Sequence, residues 1–382
     1  MKQCSMSALF LFALLVSCST GLEGYLELQR TMIPVRTAGE LEDAITAALP
    51  GTVIGIVGNI ELDNPITIST AITITAFEGT VTISQKNPGD NLIFDVAGGG
   101  RLTLGDNRGK GTLVLDGKKQ SRLRPLVNVD VGPPNKVCIM NNGVVLKNNI
   151  NSGPGGGVIV NTNVQFIMNG GTISNNETSG NGGGVFIVGT GTFTMRGGTI
   201  RGNTATGDGG GVSINSGSFT MEGGTISGNS ALSSSNGGGG VYISAGIFNM
   251  TNGTISGNIA HDGGGVYISA GTFNMGGTIS GNIASNFGGG VSIDSSSGTF
   301  IMNRGIISGN TAIYGGGVHI LSNLVNTVTI GGGGRIHGNN AGTPTGQGNS
   351  WYYGVAFYAS NITIFGIHPV DPPDKYRDAD LP

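Results

Sequence analysis

The sequence predicts an all-β fold, a parallel β-helix, and three observations lead there. The tetrapeptide GGGV recurs seven times, placing Val158, Val185, Val212, Val241, Val266, Val291 and Val318 at spacings of 27, 27, 29, 25, 25 and 27 residues. The copies follow, with single departures, the order GGGV-x-I, a Gly/Ser turn, F-x-M, a Gly turn, then T-I-x-G-N-x-A. The three strand-like runs alternate with period two, and helical patterning is almost absent, so each repeat is one coil of a stack. Coils stacked about 4.8 Å apart set Phe193, Phe219, Phe248, Phe273 and Phe300 in one interior column, with Met and Ile columns beside it. The expectation is a solenoid of three strands per coil and ten to eleven coils, capped by a short N-terminal helix. Its expected hand is right, as in parallel crossovers generally.

Residues 1–17 read as a signal peptide. Lys2 precedes an apolar run from Ala8 to Val16, too short to span a bilayer as a stable anchor. The run ends in LVSC, which resembles the lipobox of bacterial lipoproteins. That resemblance implies that Cys18 is acylated and becomes the first residue of an exported protein, anchored at the outer membrane or cell surface by its lipid alone. Such an anchor holds because each buried methylene contributes about 0.8 kcal/mol. After processing only Cys138 remains, so no internal disulfide can form.

Residues 18–35 read as a tether. In TAGELEDAITAALPG the apolar residues Leu41, Ala44, Ile45, Ala48 and Leu49 fall on one helical face. Thr37 and Glu40 have capping-box spacing, and Pro50 with Gly51 stops the helix. A helix over 37–49 can lid the open end of the stack, opening a region of irregular first coils at 36–124. The regular repeats occupy 125–341. Residues 342–382, with WYYGVAFY and a Pro-rich tail, close the far end.

An asparagine stands three residues after each repeat Ile: Asn176, Asn203, Asn229, Asn258, Asn282, Asn310 and Asn339, with Asn148 placed in the same series after Val145. At a corner the backbone leaves the strand, and an inward amide can bond both local backbone and the next coil. These residues are therefore expected to be a structural ladder rather than ligands.

Composition narrows the function. The net charge is −3 and 11% of residues are charged. Between Gly155 and Ala341 there are nine Asp, Glu, Lys and Arg residues, none of them Lys, which excludes a nucleic-acid partner. The histidines at 261, 319, 337 and 368 have no metal-ligand spacing. Asp208 and Asp262 share a column two coils apart, about 10 Å, marginal for an inverting carboxylate pair. Gly237 stands between them, and Asp in a Gly-rich turn has an ordinary structural use. No catalytic residue, metal or cofactor is assigned. Arg196 and Glu222 read as a cross-strand ion pair.

One residue past each GGGV Val stand Ile159, Phe186, Ser213, Tyr242, Tyr267, Ser292 and His319, all on the outward side of the strand. Phe186, Tyr242, Tyr267 and His319 form the candidate binding face, since exposed aromatics in a row can stack on sugars or anchor a protein. A second outward surface is a Thr/Ser ladder from the T-I-S strands, interrupted by Arg201, Ile306, Arg335 and His337.

The pairing of GGGV with I-x-x-N-x-A, over Pro125 to Ala341, resembles the repeats of polymorphic outer membrane proteins of chlamydiae, which alternate GGA[ILV] with FxxN. It is similar also to Gly-rich β-helix repeats of spirochaete and gut-bacterial surface proteins. The resemblance implies surface display and adhesion to host cells or extracellular components. Ile stands where that family has Phe. No counterpart of the family's C-terminal autotransporter barrel is expected, so the lipid on Cys18 would have to serve as the anchor in its place. The expected function is a monomeric cell-surface lipoprotein displaying a rigid face to a host, matrix or glycan ligand, without enzymatic activity. The alternatives are a secreted polysaccharide-binding or polysaccharide-degrading, pectate lyase-like β-helix, and a purely structural surface spacer.

Overall fold

The computed structural model describes residues 32–86, 92–106, 111–119, 121–122, 124–131, 136–320, 328–341, 357–358 and 363–364. Cys18, the signal segment and most of the tether and closing segment lie outside the described residues. The chain is an all-β solenoid of about nine turns whose strands pair in parallel. Three sheets of 22, 11 and nine strands form its sides. The nine-stranded sheet counts the complete turns, while incomplete turns at both ends extend the eleven-stranded one. That difference accounts for the expected ten or eleven coils.

A strand begins where the tether was expected to end. β1 (Met32–Val35) pairs in parallel with Thr52–Ile56 and starts the first coil. The helix α1 spans Ala38–Thr46, shorter than the expected 37–49. The Thr37 hydroxyl accepts from the Glu40 N–H at 3.2 Å, and the Glu40 carboxylate accepts from the Arg36 N–H at 2.6 Å, so two otherwise orphaned donors are met. Leu41 and Ala44 are buried, and Ile45 and Ala48 pack on the core. Leu49 lies past the helix end and is exposed.

Each regular coil holds four strands rather than three. In one coil they are Val212–Ile214, Ser218–Met221, Thr225–Ser227 and Ser230–Ala231. The extra two-residue strand after the Asn is too short to show a period, yet it builds the whole nine-stranded sheet. The interior columns are those the period-two rule selects. Phe193, Phe219, Phe248 and Phe273 stack with centroids 4.6–4.7 Å apart and planes within 4°. Val, Ile and Met columns are buried alongside, and Cys138 occupies the Phe column one coil before Phe166.

The asparagines form the expected ladder. Each buried side-chain oxygen accepts from the backbone N–H and the Nδ2 of the preceding Asn, at 2.9–3.0 Å from Asn176 to Asn339. From Asn203 onward each Nδ2 also donates to the Ile carbonyl of the coil before, as Asn229 does to Ile200 at 3.0 Å, and Asn176 donates to the Leu146 carbonyl at 3.2 Å. One member was misplaced: Leu146, not Val145, pairs with Ile173. Asn149 therefore heads the ladder, its N–H donating to Asn176 at 3.1 Å. A one-residue shift moves every side chain to the other face.

The residue before each ladder Asn must adopt a left-handed conformation, with φ of 61–65° at Gly202, Gly228, Gly257, Gly281 and Gly309. In the two coils without glycine, Asn148 and Asn175 take the position at φ 58° and 54°; Asn tolerates this region better than most residues. The third Gly of GGGV meets a different limit. A Cβ on Gly211 would lie 2.6 Å from the Gly240 carbonyl and 2.9 Å from the Ile226 side chain.

Candidate functional site

The variable residues after each GGGV Val stack in the expected register, Phe186 on Ser213, Ser213 on Tyr242, Tyr242 on Tyr267 and Ser292 on His319. They point away from the core, but they do not form the exposed platform expected. Tyr242 is 7% exposed, Tyr267 2% and His319 2%, and only Phe186 is half-open. The turn preceding GGGV folds back across the outside of the strand. A Cβ on Gly209 would lie 2.8 Å from that of Ser213, and one on Gly263 2.7 Å from that of Tyr267. The candidate face is therefore a roofed second layer.

The roof is itself a column. Gly182 N–H donates to the Asp208 carbonyl, Gly209 to Gly237, Gly238 to Asp262, Gly263 to Phe287 and Gly288 to Tyr314, at 2.8–3.0 Å. This confirms that Asp208, Gly237 and Asp262 share a column. In two coils a small residue on one side meets a ring on the other, whereas Tyr314 and His319 put a ring on both sides of theirs. Tyr242 lies in the coil of Gly237, and Ser292 in the coil of Phe287, whose ring stacks on His319 at 4.3 Å. Tyr242 and Tyr267 stack on each other at 5.6 Å.

Three carboxyls line this layer. Ser233 and Asn236 side chains bond Asp208, and burial pushes its carboxyl above the usual range. Asp262 Oδ1 accepts from the Phe287 N–H at 2.9 Å and lies 3.3 Å from His261 Nδ1, and burial raises this carboxyl too. The Tyr267 hydroxyl donates to Asp294 Oδ2 at 2.8 Å and lies 3.2 Å from Asn236 Oδ1. Burial and the Asp294 carboxylate hold that phenol strongly protonated. Burial also pushes His319 down to about 4, so its imidazole is neutral at ordinary pH. The layer can thus offer stacked rings and carboxyl acceptors in a site that favours uncharged groups. The Arg201, Arg304 and Arg335 side chains arise from strands of the 22-stranded sheet instead.

Other expected features fall elsewhere. Arg196 Nε lies 3.4 Å from Glu222 Oε2 on an exposed surface, where an ion pair contributes little. Among the described residues no group of three or more His, Cys, Asp and Glu side chains converges as metal ligands. Two features escaped sequence reasoning. Ile259 and Ile283 pair on adjacent coils of the nine-stranded sheet and are exposed, as are Leu232 and Ile313 on flanking coils. The loop from Leu232 to Asn236, which reaches Asp208, was signalled only by the 29-residue spacing from Val212 to Val241. No protein family, curated protein or solved structure matches the chain.

Proposed function

We propose that this chain is an exported bacterial surface protein, anchored through a lipid on Cys18, whose solenoid holds a binding face for a host, matrix or glycan component. The observation that carries the reading is how variation is distributed. The inward Phe, Met, Ile and Asn columns stay constant from coil to coil, whereas the layer over the GGGV strands changes at almost every coil: Phe186, Ser213, Tyr242, Tyr267, Ser292, His319. A rigid frame with varied side chains on one outer side suits recognition. The resemblance to chlamydial surface repeats points the same way. Asp208 and Asp262 are buried and bonded within the turns, which favours binding over a carboxylate-pair hydrolase.

The test is an array of glycans and matrix proteins probed with the purified protein. Reproducible retention on a subset is expected, and retention on none would overturn the reading. Palmitate labelling that persists in Cys18→Ala would remove the proposed anchor. Reducing-sugar release from uronans that is lost in Asp208→Asn would replace binding by catalysis.

A further inference from the structure

The layer over the GGGV strands breaks at one coil. Phe186, Ser213 and Tyr242 occupy successive coils in register, so Ser213 interrupts the rings. Where Ser292 makes the same interruption, Phe287 supplies a ring from the roof column. Beside Ser213 the roof residue is Asp208, which supplies none. Asp208 and Ser213 are 8% and 0% exposed. Asp208 Oδ1 and Ser213 Oγ nevertheless have no hydrogen-bond partner among the described residues, although buried polar atoms are normally satisfied. The longest repeat coincides with this coil. Its surplus residues form the 232–236 loop, whose Ser233 and Asn236 bond Asp208 while Leu232, Ser234 and Ser235 stay exposed. In a molecule whose stability comes from regular stacking, three irregularities at one place mark a site.

We propose that this coil is a ring-stacking subsite for a neutral pyranose of a glycan, held between Phe186 and Tyr242, hydrogen-bonded to Asp208 and Ser213, and closed by the 232–236 loop. The inference rests on the binding function proposed above and names its ligand class. Two coil spacings separate the flanking residues by about 10 Å, so one inserted ring would lie about 5 Å from each. Rings in this solenoid already pack at 4.6–4.7 Å. Tyr267 shows how the layer receives a ring hydroxyl, donating to Asp294 at 2.8 Å. A sugar hydroxyl would donate to Asp208 Oδ1 in the same way, and a sugar oxygen would accept from Ser213. Asp208, Asp262 and Asp294 together disfavour an acidic sugar. Entry requires the loop to lift and exchange its bonds to Asp208 for those of the ligand.

The experiment is saturation-transfer NMR on the purified full-length protein with methyl glycosides of glucose, galactose, mannose and N-acetylglucosamine, and with methyl glucuronide. Ser213→Tyr places in this coil the ring its neighbour carries, so the fold should persist, as circular dichroism can verify. At least one neutral glycoside should show transfer that falls at least tenfold in Ser213→Tyr, and glucuronide should show none. The subsite is overturned if no neutral glycoside shows transfer, if Ser213→Tyr binds like wild type, or if glucuronide binds equally well. Array retention that Ser213→Tyr leaves unchanged would sink the subsite while the adhesive reading stands; an empty array would sink both.

Discussion

Replacing Asn258 with Ala tests whether the ladder holds the corners together. Asn258 Oδ1 accepts from the N–H and the Nδ2 of Asn229, both at 2.9 Å. Its Nδ2 donates to the Ile226 carbonyl at 3.0 Å and to Asn282 Oδ1 at 2.9 Å. Alanine removes all four bonds. Asn282 Oδ1 still receives the N–H of residue 258, a bond of 3.0 Å, but Asn229 is left with two buried donors unmet. Each such group costs about 1–3 kcal/mol, so the expected loss is about 2–6 kcal/mol. Stability in a solenoid sums over neighbouring repeats, so urea unfolding should be paired with amide exchange at the Asn229 N–H. The control is Asn274→Ala, which breaks a stacked asparagine pair on the half-open outer face, Asn274 Nδ2 to Asn249 Oδ1 at 2.7 Å. It should lie within about 0.5 kcal/mol of wild type. A loss below about 1 kcal/mol for Asn258→Ala, with the Asn229 amide as protected as before, would refute the reasoning.

Phe248 lies 4.7 Å from the rings on both sides and is fully buried, so Phe248→Ala should cost about 3–5 kcal/mol in urea unfolding. The Cys138 thiol is buried and pushed up to about 12 by that burial. In a Cys4→Ser/Cys18→Ser background it should resist DTNB at pH 8 until urea is added, and rapid native labelling would count against it. His319 makes stability depend on acid. Its folded value of about 4 lies below the ordinary 6.5, so the unfolded chain takes up the proton first and stability falls as pH drops through that window. The difference corresponds to about 3 kcal/mol. His319→Phe should flatten the fall in a urea titration run from pH 7 to pH 4. Asp208 and Asp262 have raised carboxyls and act in the opposite sense, contributing stability below the usual carboxyl range that is lost as pH rises through their folded values.

Much of the fold was legible because a repeat states its rule several times. A single F-x-M could be any half-buried strand, but six copies at coil spacing fix a column, and the rings stack in that register. Legibility fell where the repeat is shortest or least regular. The two-residue strands after each Asn are below the length at which alternation can be seen. The Leu146 register failed because KNN replaces the usual S-G-N, leaving Asn148 and Asn149 as rival ladder members.

The candidate site was read to the right strand and side and to the wrong environment. Period two separates what faces the core from what faces away; it does not say whether another part of the chain covers the outer side. That depends on the turn before GGGV, whose path is set by Gly209, Gly238, Gly263 and Gly288 at φ of 59–72°. Pairing each outward residue with the one five positions earlier shows which side supplies the ring: Tyr242 over Gly237 in one coil, Phe287 over Ser292 in another, and both Tyr314 and His319 in a third. From Phe186 onward, the same comparison isolates Ser213 with Asp208 as the pair that supplies no ring. In a stacked repeat, then, the sharper question of an outward side chain is what its own coil sets across from it, and the answer directs attention to the coil where roof and layer fail to fill each other.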